Sequence, residues 1–353
     1  MNHLWYYLAL FGRSALKIST VAKLPNIASA LLAWNLRHTN PTSKPFIVRI
    51  EPSSACNLSC PGCTTPVRRF PKDQVRVMTL DSFRKIYSEV APYVCRLTFY
   101  MEGEPMTNRQ LLEMVKLTGN SAFTSFSTNF TLMNDDLLQP LCNSGLDLIH
   151  VCLDGFTQEV FEKYRVGGNV DRVKHGLRKL MEYKRTNGFR KPFVNVYTIL
   201  FRHVVPERHL IKQFCDEIRV DRLTFRPDQW NSLGEYTYSA RKLPYKKCFW
   251  PWLSINVGAD GSVYPCPIAY ERMDRRPYGN LLKNDLTTVW NNTLYQQTRK
   301  FLSTGVGGND GAIPCSTCRW YGPAAAGDFK NHSNTPVSEL GNINSNAQQP
   351  RAR

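Results

Sequence analysis

The sequence predicts an α/β fold: a partial, TIM-like (β/α)6 barrel of parallel strands followed by a cysteine-rich C-terminal domain. Three observations carry this. Between residues 46 and 230, six short apolar runs alternate with amphipathic helical stretches, the rhythm of parallel strands joined by helical crossovers. Around Gln229–Lys247 the rhythm breaks. From there to about Gly322 the chain is rich in Cys, Trp, Pro and Gly with few regular elements. The expected organisation is an N-terminal amphipathic helical segment (1–45), the barrel (46–230), the cysteine-rich domain (240–325) and a polar tail without apolar periodicity (326–353), read as disordered.

Phe46–Glu51 opens the series as a strand, and Leu80–Val90 follows as a helix with Thr79 as its N-cap. Then come strand Arg96–Met101, helix Arg109–Leu117, strand Phe123–Thr128, helix Asp135–Cys142 and strand Leu148–Leu153. Helical stretches near Thr157–Tyr164 and Val170–Tyr183 lead to strand Phe193–Phe201, helix Glu207–Ile218 and strand Arg222–Phe225. In such folds chemistry collects at the carboxyl ends of the strands.

The N-terminal segment has two apolar runs, Leu4–Phe11 and Ile27–Trp34, each far short of the ~18–20 residues a bilayer span needs. Met1-Asn2-His3 makes a poor signal-peptide start and no cleavage site follows. Two readings stay open: helices packed on the body, or an interfacial membrane contact using Trp5, Tyr6, Tyr7, Phe11 and Trp34 with Arg13, Lys17 and Lys23.

The 353 residues, 42% hydrophobic, exclude a disulfide-stapled miniprotein and a disordered chain. Lys and Arg number 45 against 28 acids, a formal +17 that points to an anionic partner. Basic groups stand at Arg68, Arg69, Lys72 and Arg76 and at Arg272, Arg275 and Arg276. No nucleic-acid-binding module is present, and no nucleic-acid partner is expected. Eleven cysteines is an odd number, so they cannot all be paired within one chain.

Cys56, Cys60 and Cys63 form a C-x3-C-x2-C triad just after the first strand. Three thiolates on one loop can hold three irons of a 4Fe–4S cube and leave the fourth open, whereas a structural zinc would need a fourth ligand from elsewhere. The triad in this position resembles the signature of the radical S-adenosylmethionine (radical SAM) enzymes. That resemblance implies a cluster that cleaves S-adenosylmethionine to a 5′-deoxyadenosyl radical, which takes a hydrogen atom from the substrate. Gly103-Glu104-Pro105 looks like the family's G-E-P motif, in which Glu104 would meet the methionyl amino group. Ser127-Thr128-Asn129 resembles the segment near ribose and methionine, with Ser127 and Asn129 as contacts. Val151-Cys152-Leu153-Asp154-Gly155 looks like V-S-L-D-G, and Tyr164-Arg165 with Gly167-Gly168 resembles the segment after it. By similarity Asp154 and Arg165 join the cofactor site, Arg165 pairing with the methionyl carboxylate. There are three departures: Glu102 for Gly, Cys152 for Ser, and Gly62 where the family usually has an aromatic residue framing adenine. The last shifts adenine recognition toward later strands, near Val196 or Phe225.

Cys248, Cys266, Cys315 and Cys318 form the second set, and spacing alone leaves zinc and a fully ligated cluster equally open. Cys-Phe-Trp-Pro-Trp, Gly-Ala-Asp-Gly-Ser-Val-Tyr-Pro-Cys, Gly279-Asn280, Val289-Trp290 and Cys-Ser-Thr-Cys follow the order of a SPASM-type domain. That resemblance implies one auxiliary 4Fe–4S cluster, the cysteines for a third cluster being missing. Cys95, Cys142, Cys152 and Cys215 read as buried thiols.

The family resemblance implies a cytoplasmic enzyme fed by ferredoxin or flavodoxin, peripherally membrane-associated if the N-terminal helices bind lipid. Its substrate would be a peptide or protein side chain; the alternatives are a small-molecule, carbohydrate or lipid-linked substrate. The other class of reading is a zinc-binding or electron-carrying protein without radical chemistry.

Overall fold

Strand β1 (Ile47–Ile50) lies inside a nine-stranded sheet rather than at its edge. On one side it pairs in parallel with β2 (Arg96–Thr98), and the sheet runs on, parallel and in chain order, through β3 (Phe123–Thr128), β4 (Leu148–Cys152), β5 (Phe193–Leu200) and β6 (Arg222–Pro227). After β6 come β7 (Leu243–Pro244), β8 (Ser254–Val257), β9 (Ser262–Tyr264), β10 (Gly279–Asn280) and β11 (Tyr321–Gly322). The other edge of β1 is taken by β8, in parallel, with β9 and β10 added antiparallel beyond it. Among the described residues backbone hydrogen bonds tie β1 to the cysteine-rich region and not to β6, so the six parallel strands belong to an open sheet, consistent with the partial barrel expected. This computed structural model describes residues 21–63, 75–228, 233, 243–271, 276–307, 313–318 and 321–322. Leu4–Phe11, Arg68, Arg69, Lys72, Arg272, Arg275 and the 326–353 tail lie outside the described residues.

The helices follow from caps and apolar spacing. In chain order they are α1 (Leu24–Asn35), α2 (Leu80–Val90), α3 (Leu111–Thr118), α4 (Leu138–Asn143), α5 (Gln158–Glu162), α6 (Val170–Thr186), α7 (Arg208–Ile218), α8 (Trp250–Leu253), α9 (Pro267–Glu271), α10 (Leu286–Trp290) and α11 (Thr293–Thr304). Thr79 Oγ1 accepts from Ser82 N at 3.1 Å to start α2, which buries Phe83, Ile86 and Val90 along one face. Asn169 caps α6, whose Val173, Leu177 and Leu180 are wholly buried. Fully burying such a side chain is worth about 1.5–3 kcal/mol, enough to fix which face turns inward. The helix expected over Asp135–Cys142 begins instead as a 3₁₀ turn, Asp135–Leu137, capped by Asn134. Pro140 then falls in the first turn of α4, where its missing N–H breaks no helical bond.

In the strands, burial separates two faces. Val194 and Val196 are wholly buried on one face, while Tyr197 and Ile199, further along the strand and on the other face, are half-buried. Arg49, Thr98, Ser127 and His150 are half-buried on that same side, the concave face of the sheet.

The N-terminal residues from 21 on pack against both parts of the sheet. Lys23 Nζ donates to Val94 O (2.7 Å) and Ser121 O (2.6 Å). Trp34 Nε1 donates to Cys248 O (2.8 Å). Beyond α1, Trp252 Nε1 binds His38 O, Trp290 Nε1 binds Ser43 O and Arg299 Nη1 binds Thr39 O. The tryptophans of the cysteine-rich region thus clamp residues 34–43, a long-range job their sequence context did not announce.

Candidate functional site

The loop after β1 carries Cys56, Cys60 and Cys63 to the carboxyl end of the sheet. Cys63 N donates to Cys60 O (3.3 Å), closing a turn in which Gly62 has φ +72°. That left-handed backbone suits glycine, which accounts for the absence of an aromatic residue there. Asn57 Nδ2 donates to Thr131 Oγ1 (2.8 Å) and Asn129 Nδ2 to Asn57 Oδ1 (3.0 Å), so the loop is clipped to the end of β3. Burial, with Glu104, Cys60 and Cys63 nearby, pushes Cys56 up to about 12. Gathering such groups makes chemical sense when a cationic centre offsets their charge.

Glu104 is 3% exposed and holds the centre together. Its carboxylate accepts from Thr128 Oγ1 (2.7 Å), Asn129 N (2.7 Å) and Met106 N (3.0 Å). Burial still raises its pKa above the usual carboxylate range. Gly103 is required by space: a Cβ there would stand 2.0 Å from Ser53 O. Asn129 Nδ2 lies 4.0 Å from Cys56 Sγ, linking the motif at β3 to the thiol loop. Ser127 Oγ lies 3.6 Å from Cys152 Sγ on the concave face.

Asp154 is wholly buried behind Arg165. Its carboxylate takes Arg165 Nε (2.7 Å) and Nη2 (2.6 Å) and also accepts from Ile199 N (2.6 Å). Arg165 Nη1 lies 3.8 Å from Cys60 Sγ. The structure thus brings Cys56, Cys60, Cys63, Glu104, Asn129 and Arg165 around one mouth, with Asp154 orienting Arg165 from beneath and Ser127 deeper on the concave wall.

Cys248, Cys266, Cys315 and Cys318 line one cavity, together with Trp250, Pro251, Pro265, Ile268, Leu302 and Tyr321. Ala269 N donates to Cys266 Sγ (3.3 Å) and Cys318 N to Cys315 O (3.2 Å). Burial, followed by the neighbouring Cys266, raises Cys248 well above an ordinary thiol. Among the described residues no three His, Cys, Asp or Glu side chains converge tightly enough to hold a single metal ion. Three thiols on one loop and four around one cavity are donor sets of the kind that 4Fe–4S clusters take. Cys95, Cys142 and Cys215 are buried in the core, whereas Cys152, also buried, faces the site.

Three features escaped the sequence reading. Glu51, at the end of β1, accepts from Glu102 N (3.2 Å) and Gly103 N (3.4 Å) and from the hydroxyl of Tyr270 on α9. It ties the Gly103-Glu104 turn to the helix that follows Cys266. Tyr270 packs edge-on against Tyr264, with ring centroids 4.9 Å apart, in a small cluster with Met101 against which Cys266 packs. The concave face also carries Arg49, Arg96, Arg222 and Arg226, placed there by strand register. Between them Thr224 Oγ1 donates to Asn195 Oδ1 (2.9 Å), which turns the Asn195 amide nitrogen to His150 Nδ1 (2.9 Å). Burial, then Arg96 and Arg222, lowers the His150 pKa to about 4, so it is neutral at neutral pH with its proton on Nε2. Only the alternation of polar and apolar residues in the strands hinted at this row.

The chain is similar to known proteins in sequence and in fold. A model of the radical SAM superfamily matches residues 50–211, and one of the SPASM iron–sulfur cluster-binding domain matches residues 248–319. The chain is 28% identical over 195 residues to the tungsten-containing aldehyde ferredoxin oxidoreductase cofactor-modifying protein of Pyrococcus furiosus, covering 52% of this chain and 53% of that one. It is 27% identical over 183 residues to the PqqA peptide cyclase of Bradyrhizobium diazoefficiens, covering 51% and 45%. The chain spans about half the length of these curated relatives. The crystal structure of Streptococcus suis SuiB has the same fold, with TM-score 0.57, 16% identity, and coverage of 76% of this chain and 70% of that one.

Proposed function

The chain belongs to the radical SAM superfamily, with an iron–sulfur SPASM domain behind its core, and from that premise we propose that it reductively cleaves S-adenosylmethionine and abstracts a hydrogen atom from a peptide or protein side chain. One observation carries the reading: the triad loop, the Glu104 carboxylate and Arg165 share one mouth at the carboxyl ends of the strands, joined by hydrogen bonds through Asn129 and Asp154. Cys56, Cys60 and Cys63 would hold a 4Fe–4S cluster, which when bound would supply the electron for cleavage of the sulfonium. Glu104 offers a carboxylate to the methionyl ammonium, and Arg165 a cation to the methionyl carboxylate. Asp154 keeps Arg165 charged and aimed, and Asn129 holds the loop against the end of β3. The cavity of Cys248, Cys266, Cys315 and Cys318 would hold one auxiliary cluster.

The peptide substrate is favoured by the likeness to a peptide cyclase. The likeness to a cofactor-modifying protein keeps a small-molecule substrate as the second reading. The external electron comes from ferredoxin or flavodoxin, and thiol-ligated clusters suit the reducing cytoplasm. Among the described residues no helix is long and apolar enough to cross a membrane.

Anaerobic reconstitution tests the proposal. About eight irons per chain and 5′-deoxyadenosine on reduction are expected. Zinc in the protein with no cleavage of S-adenosylmethionine would leave a binding or carrier protein instead.

A further inference from the structure

Helix α1 ends in a way that usually calls for glycine. His38 N donates to Ala33 O (2.9 Å) and Arg37 N to Trp34 O (3.3 Å), the paired bonds that close a helix when the residue after its cap turns left-handed. Arg37 is that residue, with φ +61°. A side chain works against this backbone, because Cβ meets the following carbonyl oxygen. Arg219 adopts the same conformation at the end of α7, but there the side chain is exposed. Arg37 is instead half-buried, drawn in between two rings.

Its guanidinium carbon stands 5.4 Å from the ring centres of both Trp34 and Trp252. Both rings are fixed. Trp34 Nε1 donates to Cys248 O (2.8 Å), and its ring meets Phe249 edge-on with centroids 6.5 Å apart. Trp252 is wholly buried and its Nε1 donates to His38 O (2.7 Å), holding the residue after Arg37. The cradle therefore sets a guanidinium one indole ring away from the backbone of Cys248, a residue of the four-thiol cavity. Burial lowers the Arg37 pKa and Cys248 raises it. On Cys248 itself burial and then Cys266 raise the pKa, and Arg37 is among the groups that lower it. Arg37 lies ahead of both matched domains, so the family pattern does not announce it.

We propose that Arg37 offsets the negative charge of the auxiliary cluster and so raises its reduction potential. The inference rests on the reading of Cys248, Cys266, Cys315 and Cys318 as ligands of such a cluster. Four thiolates already make the site anionic, and a cluster there gains one more negative charge with each electron it accepts. The wall of Trp250, Pro251, Pro265, Ile268, Leu302 and Tyr321 solvates that extra charge poorly. A guanidinium is always charged, and beside an apolar wall it acts at a lower dielectric than in water, so it favours the reduced, more negative state.

The test is an anaerobic redox titration of the full-length protein reconstituted with iron and sulfide, read by the electron paramagnetic signal of the reduced cluster. Cys56, Cys60 and Cys63 are replaced by Ala in this parent so that the auxiliary cluster alone reports. Arg37→Gly removes the charge at a position whose backbone suits glycine, and Arg37→Lys keeps the charge. At the potential that half-reduces the parent, the reduced-to-oxidised ratio of Arg37→Gly should be about tenfold lower, a midpoint about 59 mV more negative for one electron. Arg37→Lys should stay within about threefold of the parent, and both should keep about four irons. An unchanged midpoint in Arg37→Gly overturns the proposal. An equal shift in Arg37→Lys also overturns it, by assigning Arg37 to packing. Iron lost from Arg37→Gly but kept by Arg37→Lys supports it, because the charge then decides whether an anionic cluster is held; iron lost from both overturns it. Zinc at the four thiols of the wild-type protein overturns this inference together with the reading beneath it, so metal analysis tells the two failures apart.

Discussion

The loop of Cys56, Cys60 and Cys63 and the cavity of Cys248, Cys266, Cys315 and Cys318 use the same ligand in opposite settings. The first draws three thiols from eight consecutive residues and surrounds them with polar partners: Asn57, Asn129 and Arg165 all hydrogen-bond within or onto the loop. The second gathers four thiols from segments some 70 residues apart and lines their cavity with Trp250, Pro251, Pro265, Ile268, Leu302 and Tyr321. Three ligands with polar neighbours leave a coordination position and the means to orient an amino acid beside it. Four ligands in an apolar wall leave neither, and they cross-link a region whose own regular elements are few and short. In the proposed function, the number of thiols and what stands beside them separate an open cluster from a closed one.

The sharpest way to break this contrast is to empty each site separately. Replacing Cys56, Cys60 and Cys63 by Ala should abolish 5′-deoxyadenosine formation while about four irons remain. Replacing the other four should also leave about four irons, but with cleavage retained and substrate turnover lost. If the second variant lost cleavage while keeping its catalytic iron, the division of labour would be wrong.

Gly103→Ala comes next. A Cβ placed 2.0 Å from Ser53 O forces the motif turn away from β1, so S-adenosylmethionine binding should fail and the melting temperature drop. Normal binding with a normal melting curve would contradict the packing.

Glu104→Gln keeps the shape and removes the charge. A hydrogen bond to a charged group is worth about 1.5–3 kcal/mol, so the dissociation constant for S-adenosylmethionine should rise by about one to two orders of magnitude. The pH dependence has a definite sign. Burial raises the Glu104 pKa, so affinity should fall as pH drops through that raised value, at a higher pH than an exposed glutamate would show. In the unliganded protein the sign is opposite: the stability contribution of Glu104 is present at low pH and lost as pH rises through the same value. Titrating affinity against pH checks the first and melting the unliganded protein across pH the second; Glu104→Gln should lose both dependences.

The smallest effect belongs to the link between the two sites. Tyr270→Phe removes the hydroxyl that binds Glu51 and keeps the ring against Tyr264. About 1 kcal/mol corresponds to a roughly fivefold weaker binding of S-adenosylmethionine, with iron content unchanged. A change in the electron paramagnetic signal of the catalytic cluster on adding S-adenosylmethionine, altered in Tyr270→Phe, would separate positioning from general loosening. Identical affinity and spectra would mean that the two sites are not coupled through Glu51.

Much of the site was legible because its chemistry is written in contiguous residues. A C-x3-C-x2-C loop needs only its own spacing to converge, whereas Gly103-Glu104-Pro105 and Asp154-Gly155 were legible as site motifs only through the family resemblance. The four distant cysteines were legible only through their resemblance to a SPASM-type domain, since spacing left zinc and iron–sulfur equally open. Glu51 was invisible: a glutamate ending a strand reads as a solvated charge until the fold buries it to 1% exposure against Tyr270, 219 residues away.

The sequence by itself determined the order of strands and helices, the faces they bury and the two sets of thiols, because apolar period, caps and ligand spacing act over a few residues. Only the tertiary structure decided that β8 extends the barrel sheet at β1, that tryptophans of the C-terminal region clamp residues 34–43, and that four arginines and a neutral His150 share the concave face. Those outcomes depend on which edges and surfaces meet when distant segments are brought together. Contacts across some 200 residues are selected by the free energy of the whole packed molecule and leave no local mark in the chain.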